Sequence, residues 1–248
     1  MCGRYTLAGT DPSQLRARWP IGERLEVRRR FNVAPGDDVL AVIRRAAPPS
    51  QRSADATGRE PGPGPGPGAQ GALLRWGLVP FWASDPHEIA IRTINARAET
   101  MAQRPAFRDA FERRRCLILA DGFYEWSGGV PHWITREDGE PFAFAGLWAS
   151  WRPKGAARDV EPLRSCSIVT TAAAGEVRRL HDRMPVILAG RQEESLWIDP
   201  ATPRGELHAH CRPEAAPELE YRPVSKAVND ARFDGPECLD PPEQAALF

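Results

Sequence analysis

The stretch CLILADGFYEW, residues 116–126, decides how this chain is read. Cys116 to Ala120 is an unbroken apolar run, the pattern of a strand. It enters a tight turn or bulge at Asp121-Gly122. The chain then leaves through FYEW, which sets Glu125 between Tyr124 and Trp126.

Working outward, PAFRDAFERRR (105–115) reads as a helix with Pro105 near its start and Phe107, Ala110 and Phe111 on one face. HWITREDGEPFAFAGLW (132–148) reads as a hairpin whose turn is Asp138-Gly139. VLAVIRR (39–45) and LLRWGLV (73–79) are expected to be partner strands. Between them lies a polar stretch, about 48–71, containing PGPGPGPG at 61–68. So little of it can be buried that a disordered hairpin tip is expected rather than a domain boundary. MCGRYTLAG opens the chain as a strand, and DPSQLRARW follows as a helix with Asp11 as N-cap and Pro12 in its first turn. SCSIVTT, PVILA and LEYRPVSK read as further strands, and AAGEVRRL, ESLWID and RGELHAHC as short helices. The expectation is one α+β domain spanning 1–248, with a mainly antiparallel, barrel-like β core and flanking helices.

The 248 residues are 42% hydrophobic and include eight tryptophans, enough for a substantial core. Lys/Arg and Asp/Glu balance at 33 each. The balance hides an asymmetry: residues 1–120 carry 19 basic against 12 acidic side chains, and residues 121–248 carry 14 against 21. A basic first half suits a phosphate-binding face, although one folded domain would interleave the charges. Lysine occurs only at Lys154 and Lys226, so the basic character is arginine, which also suits phosphate. The five cysteines are odd in number, widely spaced and without a CxxC, which argues against a disulfide framework or structural zinc. His208, His210 and Cys211 do not share one helical face, so no metal is expected there. No signal-like or membrane-length apolar run is present. A soluble, cytoplasmic, monomeric protein without a membrane partner or cofactor is expected.

Cys2 directly follows Met1. It is either a small buried residue opening a strand or, once Met1 is removed, an aminothiol. A free α-amine has a reference pKa of about 7.7–8.0 and is partly unprotonated near neutrality. It attacks an aldehyde to form an imine, and the adjacent thiol closes a thiazolidine ring. Nucleophilic thiol chemistry needs the thiolate, and Arg4 is near enough in sequence to supply a positive field. In TINARAET (93–100), Asn95 is either a helix cap or half of a pair with Arg97, both on one side of an extended chain and able to orient a sugar and its phosphate. Glu125 is either a solvent-facing strand residue or a carboxyl raised by its aromatic neighbours and able to move protons near neutral pH. His181 is either a helix C-cap or an acid/base group. In WGLVPFW (76–82), Phe81 and Trp82 are core or a stacking platform for bases.

Taken in order, MCGRY, FNVAPG (31–36), WGLVPFW, INARAET (94–100), LADGFYEW (119–126), LHDRMPVIL (180–188) and PVSKAVND (223–230) resemble the SRAP family, the SOS response-associated peptidases, across nearly the whole chain. The resemblance implies a sensor of abasic sites in single-stranded DNA. It implies Cys2 as nucleophile, Asn95, Glu125 and His181 as active-site residues, and DNA contacts at Arg4, Pro35, Phe81, Trp82, Arg97 and Thr171. It further implies a thiazolidine DNA–protein crosslink and a peptidase activity that removes Met1. The Pro/Gly tract is foreign to the family pattern, and ILAD stands where a proline would precede the alanine. Two rivals use the same residues differently: an N-terminal-nucleophile amidohydrolase or cysteine peptidase acting in trans, and a DNA-binding scaffold without chemistry. The first has no use for a basic, aromatic surface; the second has none for a Met-Cys junction.

Overall fold

The computed structural model describes residues 2–9, 11–44, 68–157 and 159–243. In chain order its strands are β1 (Tyr5–Leu7), β2 (Arg30–Val33), β3 (Asp38–Arg44), β4 (Ala69–Trp76), β5 (Asn95–Arg97), β6 (Arg115–Ala120), β7 (Gly122–Ser127), β8 (Val130–Arg136), β9 (Phe142–Trp151), β10 (Leu163–Ala172), β11 (Arg183–Pro185), β12 (Ile187–Leu188) and β13 (Leu219–Pro223). The helices are α1 (Pro12–Arg18), α2 (Pro86–Arg92), α3 (Arg108–Arg113), α4 (Arg191–Ile198) and α5 (Arg204–His210), with 3₁₀ turns at Gly175–Arg179 and Lys226–Asn229.

Strands β10, β4, β3, β6 and β9 pair in a ring that closes through β9 and β10, so the expected barrel is present. It is mixed rather than wholly antiparallel, because β10 runs parallel to β4 and to β5. A second sheet, ordered β13-β8-β7-β1-β2, lies beside it. Strand alternation divides the core. Leu40, Val42, Leu117, Leu119, Ala145 and Val169 face one way, with Leu15, Trp19, Phe111 and Trp197 from the helices. Val39, Ala41, Ile43, Ile118, Phe144 and Ile168 face the other way, with Cys2, Tyr5, Phe123 and Ile134.

The stretch at 116–126 is not a strand with a turn. It is two strands in two sheets, β6 in the barrel and β7 in the second sheet, joined at Asp121. The Asp121 carboxylate accepts hydrogen bonds from Thr6 Oγ1 at 2.5 Å, Ala8 N at 2.6 Å and Gly9 N at 2.5 Å, fixing the opening strand to the crossover. Gly122 is required there: a Cβ would run into the Trp133 indole.

The expected hairpin at 132–148 is also corrected. Gly139 does take positive φ, at 69°, but β8 pairs with β7 and β13, whereas β9 pairs with β6, β10 and β12. Both edges of each strand are already taken, so the turn carries the chain between sheets. The strands at 39–45 and 73–79 do pair, as β3 and β4. β4 begins at Ala69, inside the stretch expected to be disordered; residues 48–67 of that stretch lie outside the described residues. Asp11 caps α1 in a capping box with Gln14, and Pro12 sits in its first turn, as the sequence requires. PVILA divides between β11 and β12, and AAGEVRRL becomes a 3₁₀ turn.

Candidate active site and nucleic-acid face

β1 lies antiparallel to β7, with Tyr5 opposite Phe123. One step earlier Tyr124 N donates to the Arg4 carbonyl at 3.0 Å. This pairing brings the chain start beside Glu125. Cys2 is fully buried among apolar side chains. Asn95 Nδ2 donates to the Cys2 carbonyl oxygen at 2.8 Å. Asn95 belongs to β5, not to a helix cap, and its partner in register is Ile168 of β10. Arg97 stands two residues on, on the same strand face and exposed.

The Cys2 thiol is pushed up, first by burial and then by the negative charge of Glu125. The Arg4 field expected to favour the thiolate is not there. The Cys2 Sγ meets the Arg4 carbonyl at 3.8 Å, while the guanidinium turns to Asn32 Oδ1 at 2.8 Å and the Val228 carbonyl at 2.5 Å. Asn32 Nδ2 in turn reaches the carbonyls of Asp230 at 2.9 Å and Phe233 at 2.7 Å. Arg4 and Asn32 thus strap the PVSKAVND segment to the opening strands. The sequence flagged Asn32 only as a letter of FNVAPG.

Glu125 is 3% exposed. Its carboxyl is raised, as expected, but by another cause: burial dominates, and the His181 charge works against it. Tyr124 and Trp126 do not wall it, because alternate residues of a strand face opposite sides. Their side chains are engaged elsewhere, Tyr124 Oη on the Phe31 carbonyl of β2 at 2.7 Å and Trp126 Nε1 on Asn229 Oδ1 of the C-terminal strap at 2.9 Å.

His181 follows the 3₁₀ turn Gly175–Arg179. Its Nδ1 lies 2.9 Å from the Arg183 backbone N and 2.8 Å from Asp182 Oδ1. One nitrogen cannot accept from the first and donate to the second in a single state. The backbone N–H is fixed in direction, and the Asp182 side chain is 85% exposed, so the backbone bond decides the tautomer. Nδ1 accepts and Nε2 carries the proton. Arg183 forks onto Glu99 at 2.5 and 3.0 Å and bonds the Thr170 carbonyl at 2.8 Å, joining the His181 loop to the Arg97 segment.

Among the DNA contacts expected from the sequence, Pro35, Phe81, Trp82 and Arg97 are exposed. Thr171 is buried, and alternation along β10 sets it on the Val169 side, away from Asn95 and Arg97. A groove of about 560 Å³ is lined by Asn95, Arg97 and Trp82 together with Ile91, Arg92 and Arg104. The last three went unremarked in the sequence, where α2 carries no motif.

The family model described as SOS response associated peptidase (SRAP) matches residues 1–231. The chain is 34% identical to the abasic site processing protein YoqW of Bacillus subtilis over 250 residues, covering 97% of this chain and 99% of that one. It is 36% identical to the abasic site processing protein HMCES of Gallus gallus over 197 residues, 68% of this chain and 57% of the relative. A crystal structure of a Bordetella bronchiseptica protein superposes with a TM-score of 0.69 at 26% identity, covering 90% of this chain and all of that one.

Proposed function

The chain belongs to the SRAP family, the SOS response associated peptidases, and on that premise we propose that it senses abasic sites in single-stranded DNA and captures them covalently through Cys2. The observation that carries this reading is the Cys2 environment. Its carbonyl is held by Asn95 and its thiol is buried beside Glu125.

In the proposed reaction Met1 is first removed, which puts the α-amine on Cys2. The ring-opened abasic sugar offers an aldehyde at C1′, and its O4′ takes a proton as the ring opens. His181 in its imidazolium form is the donor: Nδ1–H then turns to Asp182 Oδ1, 2.8 Å away, Nε2 gives its proton to O4′, and the proton of the C1′ hydroxyl leaves to solvent. The amine attacks C1′, and the raised Glu125 carboxyl gives the proton with which the C1′ oxygen leaves as water, so an iminium forms. The Cys2 sulfur then adds to the same carbon, its proton leaves through the Glu125 carboxylate, and the ring nitrogen ends neutral. The products are one thiazolidine and one water. A buried, protonated thiol is quiet until the iminium forms; the adjacent positive charge then favours the thiolate. Arg97 and Trp82 are the proposed contacts to phosphate and base; Arg4, a further proposed contact, is held in the strap through both terminal nitrogens, the outer one only loosely on the Asn229 carbonyl at 3.5 Å. Removal of Met1 is the peptidase activity this reading requires.

The experiment is intact-mass measurement of the purified protein before and after mixing with abasic single-stranded DNA. The expected result is a protein lacking Met1 and an adduct heavier by the oligonucleotide minus one water, absent in Cys2→Ala. Active protein that retains Met1 overturns the thiazolidine route.

A further inference from the structure

A second histidine stands opposite Glu125 in its own sheet. The register of β7 and β8 pairs Glu125 directly with His132. Directly opposite residues of an antiparallel pair share one face, with Cβ atoms about 4.5–5.5 Å apart. On this face Phe123 and Ile134, also opposite each other, enter the core. His132 therefore lies on the inner side with Glu125, half-buried where Glu125 is sealed. Its ring is fixed. It stands edge-on to Tyr221 of β13 with centroids 5.5 Å apart, and Nδ1 lies 3.1 Å from the Val130 carbonyl oxygen. A carbonyl only accepts, so Nδ1 carries the proton of the neutral ring and Nε2 keeps a lone pair. Among the described residues Nε2 has no hydrogen-bond partner.

The charges around this face are otherwise committed. Arg136 of β8 bonds the Ala189 carbonyl at 2.9 Å and pairs with Asp138. On the 3₁₀ turn that packs against β13, Arg178 bonds the Ala173 carbonyl at 2.7 Å and Arg179 pairs with Glu176. His181 and Asp182 act on Glu125 from the loop, with opposite signs.

We propose that His132 is a positioning residue for the Glu125 proton: its Nε2 accepts a hydrogen bond from the protonated carboxyl, directly or across one water, and holds Glu125 in the acid form that expels water from C1′. The inference rests on the capture reading for the use of that proton. His132 takes up no proton in this state. The carboxyl gives its own to the departing oxygen and regains one from the thiol. A hydrogen bond to the neutral acid disfavours the carboxylate. In acid the effect reverses, because an imidazolium at His132 favours the carboxylate, and the pair titrates in two coupled steps.

The test uses the full chain labelled with ¹³C-glutamate. The Glu125 carboxyl carbon, assigned by its loss in Glu125→Gln, is followed by NMR across a pH series in wild type, His132→Phe and His132→Gln. Phenylalanine keeps a ring beside Tyr221 but has no acceptor; glutamine has an acceptor but does not titrate. Wild type is expected to bend twice. His132→Phe is expected to titrate once, about one pH unit below the upper wild-type step, the shift of one hydrogen bond. His132→Gln is expected to titrate once, close to that upper step. Crosslinking to abasic single-stranded DNA should follow the acid form. His132→Phe should be about ten-fold slower above the Glu125 midpoint and near wild type below it, with His132→Gln restoring most of the rate. Affinity for undamaged single strands should not move. A Glu125 signal that titrates alike in wild type and His132→Phe overturns the inference, as does slowing by the same factor at every pH, which marks a structural residue. The two readings fail separately. Normal crosslinking with unchanged Glu125 titration in both variants removes the role of His132 alone. A two-step wild-type titration in a protein that forms no crosslink removes the capture chemistry alone.

Discussion

Asn95 donates its Nδ2 hydrogen to the Cys2 carbonyl oxygen across 2.8 Å, joining β5 to the start of the chain 93 residues away. A chain start has one covalent neighbour and frays unless tied down. Here the tie comes from the barrel, because β5 is fixed by its parallel pairing to β10. The barrel therefore positions Cys2, the proposed nucleophile, which belongs to no strand of its own. Asn95→Ala is expected to leave DNA affinity within two- to three-fold of wild type and to slow crosslinking about five-fold, in line with the roughly 1 kcal/mol of one net hydrogen bond. Single-turnover gel assays measure the rate; an unchanged rate would show that the bond does not orient the aminothiol.

Glu125 gives a prediction with a defined sign. Burial raises its carboxyl above the unfolded value of about 4.3. A raised folded value means that the native state binds the proton more tightly. This contribution to stability is full below about pH 4 and is lost as pH rises through the folded value. Glu125→Gln removes the titration. The variant should therefore melt higher than wild type at neutral pH, with the gap closing as pH falls toward 4. It should also slow crosslink formation and reversal together, by about 10²–10⁴-fold, since a shared proton carrier serves both directions. A gap that widens on acidification, or unchanged rates in both directions, would make Glu125 structural.

Arg4 and Arg97 should separate when stability and binding are measured side by side. Arg97 is exposed and among the described residues bonds nothing, so Arg97→Ala should weaken single-strand binding and flatten its salt dependence without moving Tm. Arg4 holds Asn32 and the Val228 carbonyl. Losing it should cost about 2 kcal/mol, or roughly 5 °C in Tm for a domain of this size, in addition to any loss of binding. Equal Tm for the two variants would refute the strap.

The junction between the sheets is a fourth measurable point. Asp121→Ala would leave Thr6 and two backbone N–H groups without their acceptor. The expected loss is about 3 kcal/mol in urea unfolding. Asp121→Asn, which keeps one acceptor oxygen, should recover part of it. A loss below about 1 kcal/mol would mean that the crossover does not depend on the carboxylate.

Local signals carried much of this fold. The Asp11-Pro12 helix start, the positive φ at Gly139 and the apolar runs of β3, β6 and β10 were all legible, because each is a short-range consequence of its own residues. Partner choice was not. Asp138-Gly139 has good hairpin chemistry, yet β8 and β9 diverge because β7, β13, β6 and β10 occupy their edges, and a turn residue carries no record of that. The same limit applies to the site. Each functional side chain was visible as a letter, but the Glu125 environment depended on which face of β7 turns inward, and the Arg4 guanidinium on a segment more than two hundred residues downstream. Ile91 and Arg104 stand in no motif; the docking of α2 on Gly77 places Ile91 in the groove that Asn95 lines, and the turns after β5 place Arg104 there.

The tautomer of His181 is the sharpest remaining expectation. The Arg183 backbone N–H meets Nδ1 at 2.9 Å. In the neutral ring this leaves the proton on Nε2, where it would hold the sugar oxygen by a hydrogen bond; in the proposed reaction the proton is given up from the imidazolium form, with Nδ1–H on Asp182 Oδ1. Long-range ¹⁵N–¹H correlation spectra of the ¹⁵N-histidine-labelled protein read the tautomer directly. The Nε2–H pattern is expected for His181, assigned by its loss in His181→Gln. Glutamine is a useful replacement because its amide nitrogen can occupy the Nε2 position and donate a hydrogen bond but cannot give up a proton. His181→Gln should therefore keep DNA affinity near wild type and slow crosslinking by about 10²-fold or more, while His181→Ala loses both the donor and the fit and slows it further. If the spectra show the proton on Nδ1, Asp182 rather than the Arg183 backbone governs the ring, and His181 would meet the sugar oxygen with a lone pair. If His181→Gln crosslinks at the wild-type rate, hydrogen bonding alone suffices there and proton transfer to the opening sugar comes from another group.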